Sequence, residues 1–286
     1  MQTNEDLESL ESGLDVLQSH DLAHARRAWW TRILPPLTGL LLVWAVWQWA
    51  FSQQFVPDWK LPSPQQVWTS VKYQYDQGTI TVAVLNSLRR AVVGFLLAVL
   101  IGTPLGVLVA RVKVVRTTLG PVLSGLQQLP SVAWVPAAVI WFGLTNKTIF
   151  MVVLLGAVPS IANGLVSAID QIPPLYLRAG QVMGARGFAT IRYILLPAAL
   201  PGFISGLEQG WAFAWRSLMA AELIAISPQL GAGLGQLLET GRQLGDMSLV
   251  IGSIILVLIT GIFVERVGFA PLRRRILSNR GLVSSR

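Results

Sequence analysis

Three ionisable side chains, Glu208, Arg216 and Glu222, fall inside one otherwise apolar stretch, residues 195–223. A charge at bilayer depth costs at least about 2.5–3.5 kcal/mol, so each needs a partner or a water-filled cavity. Glu208 and Arg216 are eight positions apart, which on a helix is about 12 Å of rise and about 80° of rotation. They share a broad face without touching, and Trp211 and Trp215 flank that stripe. Two chemistries are open to Arg216: pairing with a carboxylate on another helix, or offsetting the charge of a passing anion. Glu208 is the acid placed for ion coupling, while Gln127, Gln128 and Trp134 are further polar or amphipathic groups in apolar surroundings.

Most other chemistry is excluded by residue supply. The chain has no cysteine, and its two histidines, His20 and His24, lie in the polar N-terminal segment, which removes thiolate and imidazole metal sites and Cys or His catalysis. Gly143-Leu-Thr-Asn-Lys147-Thr148 lacks the glycine before lysine that a phosphate-binding loop requires, so the chain is not expected to bind ATP or any cofactor, or to be an enzyme. The pairs Gly102/Gly106, Gly180/Gly184 and Gly206/Gly210 have the spacing of closely packed membrane helices.

The elements that must position these residues span a bilayer. Of 286 residues 53% are hydrophobic and 13% charged, with mean hydropathy +0.57; a soluble domain carries about 25% charged residues. Six stretches are long and apolar enough to cross, at 33–51, 88–110, 119–142, 148–169, 195–223 and 249–269. Pro121, Pro130 and Pro136 punctuate the third, which is therefore expected to be broken or bent. With the N-terminus inside, 15 basic residues fall in the inner segments and six outside, so both termini are expected to be cytoplasmic.

The formal charge of +8 conceals an acidic start: six of 14 acids precede residue 22, with no basic residue among them. Leu7, Leu10, Leu14 and Leu17 recur at helical spacing there, and no cleavable signal peptide is expected from so acidic a beginning. The basic excess beyond it sits in small clusters beside apolar runs, which points to topology rather than nucleic acid. Segment 52–86 carries Trp59 and Trp68 among prolines and is expected to lie at the interface. The organisation expected is an acidic segment at 1–28, a first span with external segment at 29–80, a core at 81–270 and a basic tail at 271–286.

The stretch Tyr176-Leu-Arg178-Ala179-Gly180-Gln-Val-Met-Gly184-Ala185-Arg186-Gly187, followed by Ile194-Leu-Leu-Pro197, resembles the cytoplasmic loop of ABC importer permeases. That pattern runs Glu-Ala-Ala, three residues, Gly, and ends in Ile-x-Leu-Pro; here Arg178 stands in place of the Glu and Gly180 of the second Ala. Leu61-Pro-Ser-Pro64, Ser87-Leu-Arg-Arg90, Leu129-Pro130, Ala133-Trp134-Val-Pro136, Trp141-Phe142-Gly143 and Ala221-Glu222 extend the resemblance over 61–275, toward the nitrate/sulfonate/taurine branch and most of all aliphatic sulfonate permeases.

The resemblance implies an all-α polytopic fold of the type I importer class in the bacterial inner membrane. It implies a homodimer, two copies of a cytoplasmic ATPase that carries the ATP and Mg, and an extracytoplasmic solute-binding protein. The segment 173–192 would be the coupling loop, with Arg178, Ala179, Gly180, Gly184, Ala185 and Arg186 facing the ATPase. Arg216, with Trp215, Glu208, Glu222, Trp134, Gln127 and Gln128 as further candidates, would line a pathway for a small anion, an aliphatic sulfonate or taurine before nitrate. An ion-coupled secondary transporter is the alternative of a different class, although no inverted repeat is visible.

Overall fold

The computed structural model describes residues 34–278; the acidic segment at 1–28 and the end of the basic tail lie outside the described residues. The chain divides into two units, Met1–Gln66 and Val67–Arg286. In the first, α1 (Leu34–Ser52) is apolar enough to cross a membrane. Beyond it, the Trp47 indole N–H donates to the Pro62 carbonyl at 3.0 Å. Ser63 then opens α2 (Pro64–Asp76) with a reciprocal cap: its hydroxyl accepts from the Gln66 N–H at 3.1 Å, and its own N–H donates to Gln66 Oε1 at 2.7 Å.

The second unit is helical throughout. α3 (Thr79–Arg111) leads into α4 (Lys113–Gln128), a 3₁₀ turn at Ser131–Trp134 and the short α5 (Val135–Phe142). α6 (Asn146–Asp170) is followed by α7 (Pro174–Val182) and by α8 (Phe188–Ile224), which contains a π-turn at Ile191–Leu195 just before Pro197. α9 (Leu234–Leu244) precedes α10 (Met247–Ser278). No strand occurs among the described residues.

Five helices among the described residues are long and apolar enough to span, namely α1, α3, α6, α8 and α10. The expected count of six is therefore corrected. The third expected span is two helices, because Pro130 has no N–H to continue α4 and the chain turns extended at Leu129. The second begins at Thr79 rather than 88: Ala83, Ser87, Arg90, Ala91, Gly94 and Ala98 are all buried, one helical face that includes Arg90 and leaves Arg89 exposed.

α6 is the centre of the bundle, with α3 on one side and α8 on the other. Gly102 and Gly106 of α3 lie so close that an added Cβ would come within 3.1 Å of Ile161 and 2.9 Å of the Ala162 carbonyl oxygen of α6. Gly164 of α6 and Gly206 of α8 meet backbone to backbone, and a Cβ on Gly164 would stand 2.5 Å from the Gly206 Cα. Two of the three spaced glycine pairs are thus helix contacts, which need no hydrophobic driving force in lipid. Because a backbone cannot retreat as a side-chain tip can, Gly164→Ala is expected to destabilise by about 1–3 kcal/mol. Thermal unfolding of the detergent-solubilised protein should show the lower midpoint.

Candidate functional site

α7 stands between α6 and α8 as a short turn of exposed chemistry. Pro173 and Pro174 separate it from α6, and Gly184, at φ +84°, closes it: the Ala185 N–H donates to the Gly180 carbonyl at 2.9 Å and the Gly184 N–H to that of Gln181 at 3.0 Å. That left-handed closure asks for glycine. Gly180 is buried, and a Cβ there would meet Ile194 Cδ1 at 1.8 Å, so the third glycine pair serves a turn and a contact within the loop. Arg178, Ala179 and Arg186 are exposed and Ala185 is half-buried. Around them Leu175, Tyr176, Val182, Met183, Phe188 and Tyr193 are exposed as well, Val182 at 89%. An apolar surface with basic residues at its edge results.

α8 carries the expected stripe, but its members divide. Arg216 is exposed, donates from Nε to the Ala212 carbonyl at 3.1 Å and sits 4.6 Å from the Phe213 ring centroid. No carboxylate pairs with it among the described residues. Glu208 instead meets Arg273 of α10 at 3.4 Å. Trp215 is buried and stacked on Trp211 with centroids 6.3 Å apart, so its ring packs within the unit. Arg216, Glu208, Trp211 and Trp215 line a largely apolar groove of about 530 Å³ between α8 and α10.

Next to this groove along α8, Gln127 Oε1 accepts from Asn163 Nδ2 at 2.6 Å, in a second groove of about 360 Å³ that Ser205 and Gln209 also line. Gln128 is exposed, and Trp134 is half-buried against the core. The Ser131 and Ser217 hydroxyls meet at 2.8 Å. Ser205 and Gln209 escaped the sequence reading, although their spacing from Arg216 carried the signal.

Glu222 is not on that stripe. Its side chain is fully buried and paired with Arg90 Nη1 of α3 at 2.9 Å. Its other oxygen accepts from the Ser87 hydroxyl at 2.7 Å and from the Gly235 N–H at 3.2 Å, while Ser87 Oγ accepts from the Leu234 N–H at 2.8 Å. Arg90 also donates to Asn146 Oδ1 at 3.1 Å and to the Leu230 carbonyl, and Asn86 Nδ2 donates to the Ala232 carbonyl at 2.8 Å. The first N–H groups of α9 are thus capped by side chains from α3 and α8 rather than by their own turn. Gly233 and Gly235 permit this, since a Cβ at either would come within 2.7 Å of Glu222. Arg90, one of the six basic residues counted as outer from the sequence, has its partner 132 positions away, beyond the reach of any local pattern.

Residues 102–271 match the family described as the binding-protein-dependent transport system inner membrane component. The chain belongs to that family. It is an ABC importer permease of the nitrate/sulfonate/taurine branch, a multi-pass membrane component rather than an enzyme. The permease is 27% identical to the taurine transport system permease protein of Escherichia coli over 91% of its own length and 96% of the relative's. It is 28% identical to the bicarbonate transport system permease protein of Synechocystis, covering 85% and 89%. Its fold is that of a chain of the inward-facing MetNI methionine ABC transporter, with TM-score 0.58 at 21% identity over 71% and 98% of the two chains.

At the far end of the permease's α9, Arg242 donates to the Glu239 carboxylate, and Gln243 Nε2 adds a bond at 3.1 Å. The hydrogen bond from Arg242, ahead of that from Gln243, holds the Glu239 carboxyl below its ordinary pKa against the opposing effect of burial. A carboxyl lowered on folding stabilises above its unfolded pKa, and the contribution disappears as pH falls through the lowered folded value. Hydrogen exchange of the α9 amides should lose protection on acidification below the ordinary carboxylate range. Arg242→Gln is expected to start with less protection at neutral pH and to show a flatter profile.

Proposed function

We propose that the permease forms the transmembrane pathway of an ATP-driven importer for a small solute with an anionic head group, an aliphatic sulfonate or taurine. Two copies would pair, two copies of a cytoplasmic ATPase would sit against the two α7 segments, and a soluble binding protein would deliver the solute on the opposite side. Both termini would then be cytoplasmic, in a bacterial inner membrane.

The observation that carries this reading is the placement of α7. An apolar knob edged by Arg178 and Arg186 is held between α6 and α8, which themselves pack backbone to backbone. A displacement imposed on such a knob moves both helices as one body, which is the requirement for alternating access. Arg178 in place of the family's usual Glu gives the knob a cation to offer an acidic groove on the ATPase.

The anionic character of the solute rests on Arg216, an exposed cation at membrane depth with no carboxylate partner among the described residues. The taurine relative has a sulfonate in its name and the bicarbonate relative another small oxyanion, and the same cation would serve either.

Reconstitution of the permease with its ATPase and binding protein should give ATP-dependent uptake of taurine into vesicles; transport by the permease alone would show the ion-coupled alternative instead. Arg216→Gln is expected to lower uptake by about tenfold, the loss of roughly 1.4 kcal/mol of charge stabilisation, while leaving binding-protein-stimulated ATP hydrolysis intact. Unchanged uptake would remove Arg216 from the pathway.

A further inference from the structure

We infer that the groove between α4, α6 and α8 is an oxyanion transit site lined by neutral hydrogen-bond donors: the Gln127 amide, with Asn163, Ser167, Gln171, Ser205 and Gln209 around it. This rests on the reading of the chain as an importer of small anions and names the part of the pathway that passes the solute on from Arg216.

Three observations support it. The first is the cost of these groups elsewhere. α4, α6 with the Gln171 that follows it, and α8 present six neutral polar side chains to one cavity, whereas the exposed positions along the middle of α3, from Val92 to Ile101, are all apolar. Polar side chains with unmet hydrogen bonds do not face hydrocarbon when apolar ones are tolerated there, so the cavity is the wet one. Its volume of about 360 Å³ falls in the range of small-molecule sites.

The second is donor orientation. Gln127 Oε1 is already occupied by Asn163 Nδ2 at 2.6 Å, which leaves the Gln127 Nε2 hydrogens for the groove. No hydrogen bond joins the side chains of Ser167, Gln171, Ser205 or Gln209 to another described residue. No carboxylate lines the cavity. Donors of this kind bind an oxyanion through charge-assisted hydrogen bonds, and without a fixed positive charge they release it again, as conduction requires.

The third is continuity. Ser205, Gln209, Ala212 and Arg216 are all exposed and at 100° per residue fall within about 60° of one another on α8. Gln209 is seven residues from Arg216, about 10.5 Å along the axis. One stripe therefore runs from a cation to an amide cluster, toward the α7 end of the helix.

The absence of native cysteine allows a direct test in the assembled complex. Gln127→Cys, Ser205→Cys and Gln209→Cys are each introduced singly, with Leu100→Cys of α3 as a hydrocarbon-facing reference. In membrane vesicles opened to both faces, each is reacted with 2-sulfonatoethyl methanethiosulfonate and, separately, with its trimethylammonium counterpart. The three groove thiols are expected to react with the sulfonate reagent at least about tenfold faster than the reference, because water reaches them and not it. Normalised to free cysteine, the sulfonate-to-ammonium rate ratio is expected to be raised about threefold or more by the local field. Groove rates equal to that of Leu100→Cys, or a ratio favouring the cation, would overturn the assignment. Labelling needs no turnover, so a complex that labels as expected yet takes up no sulfonate would count against the proposed substrate and not against the groove.

Discussion

A carboxylate buried in a membrane protein has to be answered where it stands, and Glu222 is answered four times, by Arg90, Ser87, the Gly235 N–H and, through Ser87, the Leu234 N–H. A pair of this kind adds little net stability over an apolar packing, yet leaving either partner alone is severe. Its effect is geometric. Arg90 comes from α3, Glu222 from the end of α8, and the groups they hold belong to the segment leading into α9. The connection between α8 and α10 is thereby fixed to the bundle through polar groups that have no alternative partner in lipid.

The other end of the bundle is built from different materials. Gly164 and Gly206 remove the side chains between α6 and α8, and Arg116 holds Asp170, at the end of α6, through two hydrogen bonds of 2.9 and 2.5 Å. α7 follows directly. Between these ends the exposed stripe of α8 runs from Arg216 to Ser205, with the polar groove beside it. A bundle with backbone-to-backbone glycine contacts and a charge pair at one end would, under the proposed function, pass a push at α7 along α8.

The all-helical membrane architecture was legible from apolar run lengths, and the tight turn that closes α7 from Gly184. Pro130 likewise announced the break after α4. The failures share a cause: run length and residue type do not say which side chains meet across helices. Arg89 and Arg90 count among the six outer basic residues at the edge of the 88–110 span, although Ala83, Ser87, Ala91, Gly94 and Ala98 continue the buried face of α3 past them and Arg90 belongs to that face. Glu222 and Arg216 looked alike in sequence, six residues apart on one helix. Burial separates them, since one is enclosed with a cation 132 positions away and the other is exposed. No local pattern encodes a contact of that range, and the amide groove, assembled from three helices, was hidden for the same reason.

The dependence of the fold on the Arg90–Glu222 pair is tested most directly by a double-mutant cycle. Arg90→Leu, Glu222→Leu and the double substitution would be compared by unfolding of the solubilised permease in detergent. If the pair is the lock described, each single change costs about 3–5 kcal/mol and the double is less damaging than the sum by about 2 kcal/mol or more. Losses that simply add would show that the two charges act independently and that something else holds α9 in place.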